Sequence, residues 1–258
     1  MKMAPPKTIN PTVWLALATL TAFYASLTAF ALGALPLWGA ALINGIALYS
    51  MYSVSHDAIH GIGTPNKSLN GLLGRVCAFH EGMTYPLFKL SHMMHHRHTN
   101  HPQWDPDWVI GRKPRWLLPL WVAARLLHDN GYMIRQGLWR GKRRYLLEHL
   151  ATIMLQVGYF LALAAVFGTA NALWLWVVPL ALAGALVELL VAWLVHYPQE
   201  SQAKYEHTRL IHSRLLQVVM FNHNLHLVHH FWPRTPWFDY PARLPQAERI
   251  LQAARRAA

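Results

Sequence analysis

The chain has 258 residues, of which 54% are hydrophobic and only 13% charged, with a net charge of +12. Ordinary soluble domains carry about a quarter charged residues, and here the apolar residues gather in two long blocks, so a soluble globular domain is excluded in favour of a membrane protein. A single cysteine, Cys77, excludes an internal disulfide and a cysteine-built metal site. The positive charge fits a cytoplasmic membrane face, since no soluble basic domain for nucleic acid is present.

The first element follows Lys2 and Lys7 and begins near Pro11. Its apolar run exceeds the roughly 7–15 residues of a signal-peptide core, so it is expected to be an uncleaved membrane helix. Four stretches, 12–35, 37–56, 145–167 and 172–196, are each long enough to cross about 30 Å of hydrocarbon. They pair as two hairpins, turning at 33–39 around Pro36 and at 168–171. None of the 23 lysines and arginines falls between residues 8 and 66 or between 145 and 203. The excess of positive charge on the inner side then places the N-terminal tail, 57–144 and 197–258 in the cytoplasm. The expected fold is all-α: one membrane domain over 1–258, with four transmembrane helices beneath a cytoplasmic helical cap. Amphipathic stretches at 69–88 and 116–127 are expected to lie along the membrane surface, and 246–258 reads as a short basic helix.

The 17 histidines carry the chemistry. Three groups have metal-ligand spacing: His56 and His60; His92, His95 and His96; His226, His229 and His230. Residues three and four apart share a helix face, so an HxxxH pair presents two imidazoles together. An HxxHH triplet presents its first and third members together, with the second about 100° around. Eight neutral imidazoles are too many for one tetrahedral zinc and suit two metals of four or five ligands each. Imidazole alone does not choose among zinc, copper, iron and nickel. Asp57, Asp105 and Asp107 stand close in sequence to these ligands and are expected to orient them, as carboxylates behind metal-bound histidines do.

The three boxes, in this order and between two apolar hairpins, resemble the membrane fatty acid desaturase and hydroxylase superfamily. The wider pattern is similar too: His56-Asp57-Ala58-Ile59-His60-Gly61, His95-His96-Arg97-His98-Thr99-Asn100 with Asp105-Pro106-Asp107, and Asn224-Leu225-His226-Leu227-Val228-His229-His230. Two stretches, Tyr85-Pro86-Leu87-Phe88 and Pro236-Trp237-Phe238-Asp239-Tyr240, are similar to desaturase-like β-carotene hydroxylases. The resemblance implies two iron ions, dioxygen as co-substrate, an external electron donor, and a further histidine ligand at the end of the fourth span, where His196 stands. It implies a fatty acyl desaturase or hydroxylase as the first expectation and a carotenoid ring hydroxylase as the alternative. A membrane zinc protease leaves two boxes without a role, and a metal transporter would hold its site near the bilayer midplane.

His223, three residues before His226, is a possible extra ligand. His98 and His101 lie in or beside the second box without belonging to the implied set. His80, His128, His149, His207 and His212 are expected to face the interface or solvent. No flavin, nicotinamide or iron–sulfur fingerprint is present, so electrons must come from a separate protein such as ferredoxin with its reductase. Glu188 is the one carboxylate well inside a span. An intramembrane acid is a functional candidate: it is expected to be protonated and to line the substrate channel, on one helix side with Ala192 and His196, meeting a polar group of the substrate or an ordered water, the alternative being an interhelical hydrogen bond that only holds the fourth span.

Overall fold

The computed structural model describes residues 7–112 and 118–257, with side chains described throughout except at 112–124, 126 and 257. The described residues form α1 (Pro11–Ala31), α2 (Leu37–Ile59), α3 (Lys67–His80), α4 (Tyr85–His98), α5 (Leu118–Arg135), α6 (Arg143–Phe167), α7 (Thr169–Leu194), α8 (Arg214–Val219), α9 (His226–Phe231) and α10 (Tyr240–Ala257). No strand occurs among them. Four helices, α1, α2, α6 and α7, are long and apolar enough to cross a membrane. Large apolar side chains such as Leu147, Met154, Leu155 and Val166 on α6 stand exposed, which is the surface a helix offers to lipid rather than water.

The spans are joined through polar contacts that hydrocarbon makes obligatory. Asn44 of α2 is fully buried, takes the Ser26 hydroxyl of α1, and donates from Nδ2 to the Leu175 carbonyl of α7 at 2.6 Å. Around it Phe23, Leu48, Met51 and Leu175 form the apolar core. Asn10 starts α1 by accepting from the Thr12 and Val13 amides, with Pro11 in the first turn.

Two glycines set the geometry under the histidines. Gly61 has φ +74°, and α2 stops there in a Schellman pattern: the Gly61 amide donates to Ala58 O and the Ile62 amide to Asp57 O, each at 3.0 Å. His56 therefore lies in the last turn and His60 caps it. Gly74 lets α3 lie against α2 and α4. A Cβ there would meet Ala58 Cβ at 2.5 Å and the Tyr85 ring at 2.6 Å.

The boundaries differ from the expected ones where local backbone chemistry intervenes. Helix α1 stops at Ala31, before the left-handed Gly33, and α2 runs past residue 56 to Ile59. The stretch 69–88 spans two helices, with the turn at Gly82, φ +67°, dividing α3 from α4. Of the stretch 116–127, residues 116 and 117 lie outside those described, and the rest opens α5. The basic helix is longer than expected and starts at Tyr240. Lys2 also lies outside the described residues. Three histidines expected at the surface are buried, because each finds hydrogen-bond partners inside. His80 meets the Tyr24 hydroxyl and Val76 O, both at 2.7 Å, His149 the Thr84 hydroxyl at 2.6 Å, and His207 the Ala203 carbonyl at 2.9 Å.

Candidate metal centre

Four elements converge on one buried cluster of imidazoles. The end of α2 brings His56 and His60, α4 brings His92, His95 and His96, the segment just past α7 brings His196, and α9 brings His226, His229 and His230. They sort into two groups, in each of which one ring nitrogen from every histidine lies within 4.8 Å of the others. The first is His56, His60, His92 and His229; the second is His95, His196, His226 and His230. His96 joins the first, its Nε2 lying 3.0 Å from His92 Nε2 and 2.8 Å from His229 Nε2.

The triplets cross over. The i,i+4 pair of the second box, His92 and His96, faces the first group, while its middle member His95 faces the second. In the third box the pair His226 and His230 faces the second group and the middle member His229 faces the first. The roughly 100° offset of a middle residue on a helix produces this division.

The donor set fits two cations. Neighbouring Nε2 atoms stand 3.1 Å apart at His60 and His92, and 3.4 Å apart at His95 and His230. Ligands bound at about 2.0–2.1 Å to one ion lie about 3.0–3.4 Å from each other. Both ring nitrogens of His56 are buried without a hydrogen-bond partner, as are Nδ1 of His196 and of His226. Buried polar atoms are rarely left so, and an ion bound by a ring nitrogen would supply the missing partner.

Electrostatics keep these rings in the ligand form. Burial, then the neighbouring histidines, holds His92, His96, His229 and His230 well below the ordinary histidine range, and His60 is lowered to about 3. His95 is the exception. Burial pulls it down, but Asp105 and Asp107 outweigh that and leave it raised. Asp105 Oδ1 lies 2.9 Å from His95 Nδ1, and Asp107 Oδ2 lies 3.5 Å from it. Asp105 is itself fixed by the amides of Asn100 and Asp107, at 2.6 and 2.8 Å. Asp57 has a different setting: it accepts from the Thr12 hydroxyl at 2.9 Å and the Trp237 amide at 3.4 Å, and stays 4.0 Å from His56. It ties α1, α2 and the 236–240 turn together without hydrogen-bonding a box histidine. His223 sits beside His56 with its Nε2 3.2 Å from the Ser53 hydroxyl, and lies outside both groups. His98 and His101 pack on each other and do not reach either group.

A cavity of about 490 Å³ reaches the centre at His92. Leu48, Leu87, Phe88, Leu180, Ala183 and Val187 make it largely apolar, and Glu188 and Ala192 also line it. The segment Glu188–Leu194 is π-helical, so the expected i,i+4 alignment with His196 does not hold there. Glu188 is not alone either: Arg125 Nη1 is 3.6 Å from its Oε2. The same guanidinium binds Asp107 and lies 2.9 Å from Asp129. Burial would raise Asp107, but Arg125 and His95 hold it well below the usual carboxylate range.

The sequence pattern of the fatty acid desaturase family matches residues 32–257. The chain belongs to the fatty acid desaturase family. Among its curated relatives, the β-carotene 4-ketolase 3 of Haematococcus lacustris is 29% identical, over 74% of this chain and 57% of its own length. The zeaxanthin 4-ketolase of Chlamydomonas reinhardtii is 26% identical, over 74% of this chain and 40% of its own. The sn-1 acyl-lipid omega-3 desaturase (ferredoxin) of Synechocystis is 27% identical, over 33% of this chain and 24% of its own. The chain thus spans about half the length of the ketolases it matches.

Sequence reasoning did not single out two supports of this desaturase-family centre. The Tyr240 hydroxyl lies 3.0 Å from His229 Nδ1, and the Thr99 hydroxyl 3.4 Å from His230 Nδ1. Nor did it find Arg125, or Glu81, whose buried carboxylate accepts from Ser55 at 3.0 Å and is pushed up by burial to about 8. Helical spacing gives no cue to these contacts, which join Tyr240 to His229 across 11 positions, Arg125 to Asp107 across 18, Glu81 to Ser55 across 26 and Thr99 to His230 across 131.

Proposed function

We propose that this membrane oxidoreductase uses dioxygen to attack a C–H bond of a lipid at a di-iron centre. The observation that carries the reading is the pairing of two histidine groups with an apolar cavity that opens onto one of them at His92. Iron bound by the nine histidines His56, His60, His92, His95, His96, His196, His226, His229 and His230 would supply dioxygen activation, with electrons from an external donor. The protein's own groups do the rest. Asp105 fixes the ring of His95, Tyr240 that of His229, and the apolar wall keeps water from the reacting carbon.

As between the two lipid classes, we favour a carotenoid ring over an acyl chain. The ketolase relatives match 74% of the chain, whereas the Synechocystis desaturase matches 33%. An acyl substrate, the first expectation from sequence, is the second reading, and the desaturase relative supports it. The boxes, the exposed basic residues and both ends of the described chain lie on the cytoplasmic side in this reading. An acidic ferredoxin-type donor would dock there, against Arg97, Arg135, Arg140, Lys142, Arg143 and Arg144.

The test is expression in a host supplied with carotenoid or with fatty acyl lipid, followed by mass spectrometry of both lipid pools and metal analysis of the purified protein. New oxygen or a new double bond in one pool, with about two irons per chain, is expected. Full occupancy by zinc or copper in an active preparation overturns the di-iron reading.

A further inference from the structure

Glu188 is a carboxylate inside a membrane-crossing helix and on the cavity wall. A charge in that position is costly unless paired, and a carboxylate has about four places for donors. Its partners fall short of that number. The Arg125 contact, at 3.6 Å, is too long for a hydrogen bond. Both atoms concerned, Glu188 Oε2 and Arg125 Nη1, are buried and without hydrogen-bond partners among the described residues.

Arg125 is not free to close the gap. Asp107 and Asp129 hold its other nitrogens. Ser91, a hydroxyl of the wall, is committed to the Phe88 carbonyl. The cavity therefore offers a carboxyl oxygen as acceptor, held beside a guanidinium, on a largely apolar wall. A hydrocarbon lodged there would leave it unmet. A hydroxyl has the donor it lacks.

On the reading that this cavity holds the lipid, we propose that Glu188 accepts a hydrogen bond from a hydroxyl group of the substrate, and so selects an oxygenated lipid over its hydrocarbon parent. Asp107 links this docking point to the metal centre. It binds Arg125 through one oxygen, and its other oxygen is 3.5 Å from the ring of His95. The hydroxyl and the ligand shell are then two ends of one side-chain chain, Glu188–Arg125–Asp107–His95. That chain fixes how far from the hydroxyl the attacked carbon lies.

The experiment uses the iron-loaded protein in detergent and two matched lipid pairs. One is β-carotene and its ring-hydroxylated analogue; the other is a stearoyl lipid and its hydroxystearoyl analogue. Binding is followed by quenching of tryptophan fluorescence, and turnover is measured separately. The wild type is expected to bind the hydroxylated member of at least one pair about ten- to a hundredfold more tightly than its parent. Glu188→Leu should bring that ratio close to one. Glu188→Gln keeps a neutral acceptor and should give an intermediate ratio, which decides the matter if the leucine variant does not fold. Equal binding within both pairs by the wild type, or a wild-type ratio in Glu188→Gln, overturns the proposal. A protein that binds with the expected ratio but oxidises neither lipid sinks the proposed reaction and leaves the role of Glu188 standing.

Discussion

His96 and His229 lie 133 residues apart in sequence, yet their Nε2 atoms are 2.8 Å from each other, closer than those of His92 and His96, His60 and His92, or His95 and His230. Two unprotonated rings at that distance repel unless a proton or a cation lies between them. A neutral ring can place its single N–H there, since burial and the surrounding histidines disfavour only a second proton; a shared cation is the alternative that the histidine grouping favours. Replacing either residue by alanine should lower bound iron from about two per chain towards one and abolish turnover. Membrane insertion should survive, since both residues lie outside the spans. Iron stoichiometry after purification checks this, and full iron content with normal activity in either variant would remove that residue from the centre.

Asp105 acts through His95. Asp105→Asn keeps an oxygen acceptor but loses the charge that raises His95. Outer partners of this kind are worth about 10–100-fold in metal affinity. The variant should lose iron to a chelator faster than wild type by that order, while its melting temperature after chelation stays near that of the stripped wild type.

Acid should weaken both the fold and the metal site. His60 has a folded value of about 3 against 6.5 when free. Between those values the unfolded chain binds more protons, so stability rises with pH across the window and is lost as pH falls from 6.5 towards 3. The other lowered histidines act in the same direction, and bound metal competes with the same protons. Metal-stripped protein should melt lower at pH 5 than at pH 8, and iron release from the loaded protein should begin below about pH 6.5. A flat profile between pH 5 and 8 would contradict the buried, neutral state of these rings.

Gly74 tests the packing of the cap on α2. A larger side chain must displace Ala58 or the Tyr85 ring, and overpacking of this type costs about 1–3 kcal/mol. Gly74→Val should lower the melting temperature and, because Ala58 lies between His56 and His60, reduce iron retention. A variant as stable as wild type would mean that α3 does not press on α2 this closely.

Donor docking should depend on salt. Exchanging Arg140, Arg143 and Arg144 for glutamine should lower kcat/KM for an acidic ferredoxin several-fold, and should flatten the decline in rate as ionic strength rises. Unchanged donor kinetics would move the docking surface elsewhere.

The sequence made the four apolar helices readable from run length alone. Spacing showed which imidazoles share a helix face, as with His92 and His96. It did not show that His95 turns to the opposite group, because that depends on how α4 is rotated against α9. It marked Glu188 as unusual but not its ion partner, since Arg125 lies 63 positions away on α5 and the two meet only through helix packing. The π turns of α7 have no compositional signature, so the expected face shared by Glu188 and His196 was drawn on the wrong helical period. His80, His149 and His207 look like surface residues until the carbonyls and hydroxyls that receive them are in place.

The crossing of the two triplets bears on how the protein is made. The first group needs His229 and the second needs His226 and His230, while their earliest members, His56 and His95, are synthesised far sooner. Neither group is complete until α9 has emerged from the ribosome and folded back beneath α2 and α4. Up to that moment the growing chain presents only partial sets of histidines. On the di-iron reading, iron would be installed after the spans have entered the bilayer, and a cell short of iron would accumulate inserted but incomplete protein.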